Sequence, residues 1–163
     1  MRDLFCGLIR DFYAPATLVA GVATGAIAHG VLAAEALGLP FVYVRPGQKG
    51  HGLTNRIEGM VSEDDRVVVI EDLVSTGRSS LSAVKALRSA GCDVLGMLAV
   101  FTYGFEEAGR SFRENSCELH TLTNYNTLIE VAREMGLIDE GQLETLEKWR
   151  KAPSEWGKEN ELS

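Results

Sequence analysis

The sequence predicts an α/β domain with a central, mostly parallel sheet and helices on both faces. Short β-branched, apolar stretches alternate along the chain with segments of helical periodicity, which is the pattern of repeated β-α-β units. Residues 67–70 are apolar at every position, as expected of a strand buried on both faces. The length of 163 residues and the hydrophobic fraction of 45% suit one domain with its own core. We therefore expect a single domain over residues 1–163, with a polar tail at about 152–163.

The elements predicted for the first part of the chain are, in order, a helix at 2–13, a strand at 18–22, a helix at about 26–37, a strand at 41–44, a loop at 45–54 and an outlying strand at 55–60. The first helix is expected to be amphipathic because five apolar residues fall on one helical face: Leu4, Phe5, Leu8, Ile9 and Phe12. Gly38 and Pro40 end the second helix. The strand-helix-strand order predicts a right-handed parallel unit.

The same alternation continues to the end of the chain. The elements predicted there are a strand at 66–70, a helix at 78–90, a strand at 93–101, a helix at 105–114, a short strand near residue 119 and two helices at 125–135 and 139–150. This alternation predicts a parallel sheet with helices on both faces.

Composition restricts the partners and the compartment. The net charge of −7 argues against a nucleic-acid surface, and no apolar stretch approaches the length of a membrane span. The first residues carry no signal-peptide pattern. The three cysteines lack the spacing of metal ligands, which indicates reduced thiols. We expect a cytoplasmic protein with neither nucleic acid nor membrane as partner.

Two adjacent carboxylates, Glu71 and Asp72, follow the strand at 66–70. The carboxyl edge of a parallel sheet is where open α/β folds bind their ligands, so both side chains are predicted to stand at a crevice. Carboxylate oxygens there suit the hydroxyls of a sugar or a magnesium ion.

A short turn and the start of a helix follow the two acids. The turn supplies hydroxyl groups and a glycine, and the helix supplies free N–H groups and the positive end of its dipole, which together predict a phosphate site. The predicted binding residues are Val74, Ser75, Thr76, Gly77, Arg78 and Ser79. Hydroxyls that only cap a helix are the alternative. The acids and the turn together favour a phosphorylated sugar as the ligand.

The stretch from Val67 to Ser80 resembles the phosphoribosyl pyrophosphate signature of the type I phosphoribosyltransferases. The resemblance implies the Rossmann-like fold of that family. It also implies phosphoribosyl pyrophosphate as donor and Mg²⁺ as cofactor. Glu71 and Asp72 are then expected to hold the ribose hydroxyls, near a magnesium ion bound mainly by the substrate, with no direct protein ligand assigned. The turn at 21–26 matches the family's pyrophosphate loop, with Thr24 and Gly25 at its contact positions.

The loop at 45–54 resembles the catalytic loop of one branch, the orotate phosphoribosyltransferases, through Arg45, Lys49 and His51. This resemblance implies transfer of the phosphoribosyl group to orotate in pyrimidine biosynthesis. The three residues are expected to bind the pyrophosphate in the neighbouring subunit of a homodimer. Pro46 stands where some members have a second lysine. Full-length members begin with a hood segment, so a reduced hood is expected here.

Three further stretches, at 101–105, 123–129 and 147–154, resemble segments of a bacterial group of that branch. Two other functions stay open from the residues. One is a purine or uracil salvage phosphoribosyltransferase. The other is a homologue that senses phosphoribosyl pyrophosphate without catalysis, or a truncated form.

Overall fold

The computed structural model describes residues 1–45 and 56–156. Its elements, in chain order, are α1 Arg2–Phe12, β1 Leu18–Val22, α2 Ile27–Leu37, β2 Phe41–Val44, β3 Ile57–Glu58, β4 Arg66–Val74, α3 Arg78–Ser89, β5 Asp93–Thr102, α4 Glu106–Glu114, β6 Leu119–Asn124, α5 Tyr125–Glu134 and α6 Glu140–Lys151. The predicted α/β class is confirmed, and most predicted bounds agree to within a residue or two. No helix in these described ranges is long and apolar enough to cross a membrane.

The sheet has six strands in the order β3-β2-β1-β4-β5-β6. Every neighbouring pair is parallel except β2 and β3, which are antiparallel. The chain leaves β1 towards one side of the sheet and leaves β4 towards the other, so the order reverses between these two central strands. Such a reversal opens a crevice at the carboxyl ends of the strands, where α/β proteins bind ligands.

The core lies in two layers, one on each face of the sheet. Val67 and Val69 of β4 pack on the face that α3 covers, beside Leu87. Val68 and Ile70 point to the opposite face, beside Phe5 of α1. Because successive side chains of a strand alternate between faces, this pattern fixes where the next two residues of β4 point.

Two strands differ in length from the prediction. β4 continues to Val74 instead of ending at residue 70, because its last residues pair with β5 up to Val74 opposite Thr102. Within residues 56–60, the described part of the predicted strand at 55–60, β3 covers Ile57 and Glu58, which pair with β2. The two predicted acids therefore lie inside β4 and not after it.

Candidate functional site

The turn after β4 brings backbone groups to the start of α3. Gly77 precedes the helix with φ of 81°, a left-handed conformation that glycine adopts readily. A Cβ atom at Gly77 would lie 2.8 Å from Cε2 of Phe112. Within the described ranges, no side chain caps this helix. Its first N–H groups therefore remain available to an anion, as the sequence predicts.

The side chains of this turn differ in exposure. Val74 is buried, Ser75 and Thr76 are half-buried, and Ser79 is exposed. Arg78 is also exposed, and its Nη2 lies 2.9 Å from Oε1 of Glu107 in α4. Exposed ion pairs of this kind contribute about 1 kcal/mol at most, so a bound phosphate could compete for Arg78.

The turn that follows β1 lies against Asp72 of β4. Thr24 and Gly25 are exposed in this turn, and the peptide bond between Ala23 and Thr24 is cis. The α-carbon of Gly25 faces the Asp72 carboxylate so closely that a Cβ atom would collide with its Oδ2. The predicted pyrophosphate turn and the second predicted acid thus stand together at one edge of the sheet.

Asp72 is exposed, and its Oδ1 accepts a hydrogen bond of 2.7 Å from the backbone N–H of Leu73. It belongs to the face of β4 that carries Val68 and Ile70, which is the α1 and α2 side. Its carboxylate is therefore open to a ligand in the crevice.

Glu71 points the other way and is only 4% exposed. Its Oε2 accepts a 2.9 Å hydrogen bond from the hydroxyl of Ser80, and its Oε1 accepts one of 3.1 Å from the N–H of Asp72. Burial raises the pKa of Glu71 from 4.5 to about 8, and the neighbouring Asp72 carboxylate adds to the rise. The hydrogen bond from Ser80 acts in the opposite direction. Glu71 thus connects β4 to α3 beneath the phosphate turn.

Ser80 was not predicted as part of the site. The sequence did contain a sign that Ser80 is buried: it lies four and seven positions before Val84 and Leu87, and residues at this spacing share one helix face. A hydroxyl on the buried face of a helix needs a partner, and the carboxyl of Glu71 supplies it.

The predicted loop at 45–54 enters the described structure only at Arg45; Lys49 and His51 lie outside the described residues. Nη2 of Arg45 lies 2.7 Å from Oε1 of Glu58, and the backbone N–H of Arg45 donates to the carbonyl of Arg56 at 2.8 Å.

Arg56, which was not predicted as part of the site either, is buried, with 9% of its surface exposed. Its Nε donates to the carbonyl of Arg45 at 2.9 Å, and its Nη1 donates to Oγ of Ser82 in α3 at 2.8 Å. Arg56 therefore fastens the edge strand β3 to the helix that begins at the phosphate turn.

A cleft of about 1340 Å³ starts at Ser75 and Thr76. Residues 103–107 and residues of α5 and α6 also line it.

The donor set at this edge suits magnesium held mainly by a substrate. Within the described ranges, no group of three or more His, Cys, Asp or Glu residues could hold a metal ion by itself. Mg²⁺ usually takes one or two carboxylates together with waters and substrate phosphates. Asp72 is the exposed carboxylate beside the two turns and fits that role.

Comparison with known proteins agrees with this fold. A family model described as phosphoribosyl transferase domain matches residues 1–132. The chain is 51% identical over 150 residues to an orotate phosphoribosyltransferase of Porphyromonas gingivalis, covering 92% of this chain and 71% of that protein. It is 50% identical over 157 residues to one of Bacillus caldolyticus, covering 96% of this chain and 76% of that protein.

A solved structure of orotate phosphoribosyltransferase from Aeropyrum pernix superposes with a TM-score of 0.68 at 30% identity, over 85% of this chain and 75% of that one. Sequence and structure therefore lead to one family. The chain belongs to the phosphoribosyltransferases and, within them, to the orotate phosphoribosyltransferase family.

Proposed function

We propose that this protein transfers the phosphoribosyl group of phosphoribosyl pyrophosphate to orotate, forming orotidine 5′-monophosphate and pyrophosphate in pyrimidine biosynthesis. The observation that carries the proposal is the meeting of two turns at Asp72, in a chain about half identical to orotate phosphoribosyltransferases. One turn offers backbone N–H groups at the start of α3, and the other offers Thr24 and Gly25.

Each group has a place in the reaction. The N–H groups and hydroxyls from Val74 to Ser79 hold the 5′-phosphate. Thr24 and Gly25 hold the pyrophosphate that leaves. Transfer of a sugar passes through a transition state with positive charge near the anomeric carbon, and the carboxylate of Asp72 stabilises that charge while it accepts hydrogen bonds from the ribose hydroxyls.

The leaving pyrophosphate gains negative charge as the bond breaks. A bound Mg²⁺ would neutralise part of this charge. Lys49, His51 and Arg45 add positive charge to it, and they do so in the neighbouring subunit of a homodimer. We place this enzyme in the cytoplasm. The role of Glu71 as a ribose contact stays a prediction, and the hydrogen bond that it accepts from Ser80 supports a different role, which is to hold the phosphate turn in place.

The first experiment is a spectrophotometric assay of orotate consumption with phosphoribosyl pyrophosphate and Mg²⁺, repeated with a chelator. We expect consumption that stops when the metal is removed. Uracil, adenine and hypoxanthine serve as competing acceptors in parallel. Use of one of these bases without use of orotate would contradict the proposal in favour of salvage. Donor binding without turnover of any base would contradict it in favour of a sensor.

Replacing Lys49 by alanine is expected to lower kcat by about a hundredfold, since removal of one group that stabilises transition-state charge typically costs that much. The dissociation constant of the donor should change far less, because the charge develops only as pyrophosphate leaves. Steady-state kinetics and calorimetry with phosphoribosyl pyrophosphate measure the two quantities. Lys85→Ala, an exposed lysine of α3, is the matched control. Equal turnover in the Lys49 variant would remove this residue from the mechanism.

A further inference from the structure

Helix α6 contributes to the cleft beside the phosphate turn, although it lies outside residues 1–132, which the family model matches. Ser75, Thr76 and Arg150, which lies near the end of α6, all line this cleft. Part of this cleft therefore comes from a segment that the general phosphoribosyltransferase domain does not include. A residue there can serve a purpose particular to this branch, such as the choice of the acceptor base.

Arg150 is linked to the phosphate turn by two successive hydrogen bonds. The N–H of Tyr103 donates to the carbonyl of Val74 at 3.2 Å, and Val74 immediately precedes Ser75. Nε of Arg150 donates to the carbonyl of Tyr103 at 3.2 Å. Because neighbouring strands lie about 4.8 Å apart, the guanidinium lies roughly one strand spacing and one hydrogen bond from the turn.

The other contacts of Arg150 fix its position without neutralising its charge. Nη1 donates to Oδ1 of Asn126 at 2.7 Å, and Nη2 donates to the carbonyl of Gly104 at 3.4 Å. The guanidinium carbon lies 5.8 Å from the ring centroid of Tyr125. An arginine has five N–H donors, so these three bonds leave two donors for a ligand. Among the described residues, its hydrogen-bond acceptors are all uncharged.

The other two cations that line the cleft are placed differently. Nε of Arg133 lies 3.1 Å from Oε1 of Glu140, so a carboxylate already pairs with it. Lys151 is exposed at the end of α6. Within the part of this cleft that the structure describes, Arg150 therefore differs from the other two cations: hydrogen bonds hold its guanidinium in place, and no carboxylate pairs with it.

Aromatic rings stand beside Arg150. The rings of Tyr103 and Phe105 are stacked, with centroids 5.3 Å apart and an interplanar angle of 6°. Trp149 packs edge-on against Tyr103 with a centroid distance of 5.5 Å. Flat apolar faces next to a few placed polar groups are typical of sites for planar small molecules.

We propose that Arg150 binds the carboxylate of the acceptor base in this cleft and so selects a carboxylate-bearing pyrimidine over an uncharged one. The inference rests on the proposed transfer to orotate. The planar fork of an arginine matches the two oxygens of a carboxylate, and such charge-assisted pairs are stronger than neutral hydrogen bonds. The same guanidinium, held by Tyr103 and Asn126, loses little freedom when the base arrives.

The test compares two nucleotides that differ only in the carboxylate, orotidine 5′-monophosphate and uridine 5′-monophosphate. Calorimetry gives their dissociation constants for the wild-type protein, for Arg150→Gln and Arg150→Lys, and for the control Lys148→Ala on the same helix. We expect the preference of the wild-type protein for the carboxylate to fall by about tenfold to a hundredfold in Arg150→Gln, as for loss of one charged hydrogen-bonding group. Arg150→Lys should keep part of the preference, and Lys148→Ala all of it.

The ratio of the two dissociation constants separates recognition from support. If Arg150 only holds the fold together, its replacement weakens the binding of both nucleotides equally. An unchanged ratio of the two dissociation constants would therefore overturn the inference. Thermal unfolding of each variant shows how much support is lost. Wild-type protein that binds the donor and neither nucleotide would instead contradict the proposed function, and the inference with it.

Discussion

Asp72→Asn is expected to lower kcat/KM for phosphoribosyl pyrophosphate by about a hundredfold, the usual effect of removing one group that stabilises transition-state charge. The substitution removes the negative charge and keeps the shape of the side chain. The asparagine Oδ1 can still accept the N–H of Leu73, and the side chain is exposed, so the free energy of unfolding should hardly change. Initial rates measured over a range of donor concentrations, at several Mg²⁺ concentrations, give kcat/KM for each protein.

A second variant displaces the same carboxylate without replacing it. In Gly25→Ala the new Cβ atom would collide with Oδ2 of Asp72, so the carboxylate must move away from the crevice. We expect this variant to lose activity in the same direction as Asp72→Asn. Asp11→Asn, an exposed acid of α1, is the charge-matched control. An unchanged donor titration in both site variants would show that Asp72 takes no part in the reaction.

The order and type of the elements were predictable because each depends on residues close together in the chain. Gly38 ends α2 in a left-handed conformation with φ of 66°, as its position after the apolar helical stretch predicts. The strand at 67–70 is fully buried, as its continuous apolar pattern predicts. The meeting of the turn at Gly25 with Asp72 was not among the predictions, because it depends on β1 and β4 being neighbours in the sheet, which the order of elements along the chain does not fix.

Contacts between distant parts of the chain were not predictable in this way. β4 extends to Val74 because β5 continues beside it, and pairing with another strand leaves little trace in the sequence of β4 itself. Arg56 binds Ser82, which is 26 positions away, and Arg150 binds the carbonyl of Tyr103, 47 positions away. No local pattern indicates such partners.

The placement of Glu71 depends both on the local strand pattern and on a contact with a distant part of the chain. A strand that ended at residue 70 would leave Glu71 and Asp72 free to face the same crevice. Because β4 continues, the alternation of its side chains sends Glu71 under α3 and leaves Asp72 at the crevice. Two adjacent acids of one motif therefore occupy different environments, and they are expected to titrate differently.

Glu71→Gln is expected to change how stability depends on pH. Burial raises the pKa of Glu71 from 4.5 to about 8 in the folded protein, so between these values the folded chain binds a proton that the unfolded chain has lost. The free energy of unfolding of the wild-type protein should therefore fall as pH rises from about 5 to about 8, and this contribution should stay constant above that. Glutamine does not titrate, so the variant should lack this decline. Urea unfolding at pH 5.5, 7 and 8.5 measures the difference.

The same pair of proteins distinguishes two roles for Glu71. Below pH 8 the buried carboxyl is mostly protonated, and glutamine is its uncharged isostere. Its Oε1 can accept the N–H of Asp72 as the acid does, whereas its amide NH₂ replaces the Oε2 that accepts from Ser80, so the Ser80 hydroxyl must turn to accept. If Glu71 supports the phosphate turn, donor binding at pH 7 should survive in Glu71→Gln and weaken in Glu71→Ala. If its charged carboxylate holds the ribose hydroxyls, both variants should lose donor affinity alike.

Ser80→Ala provides the control for the titration itself. The hydroxyl of Ser80 lowers the pKa of Glu71 by donating to Oε2, so its removal should raise that pKa further. Of the charged groups in the described chain, Asp72 is the one that shifts Glu71, and it remains in this variant. The decline of stability should then extend to higher pH in Ser80→Ala. A decline that is identical in wild-type, Ser80→Ala and Glu71→Gln proteins would mean that another group controls the pH dependence.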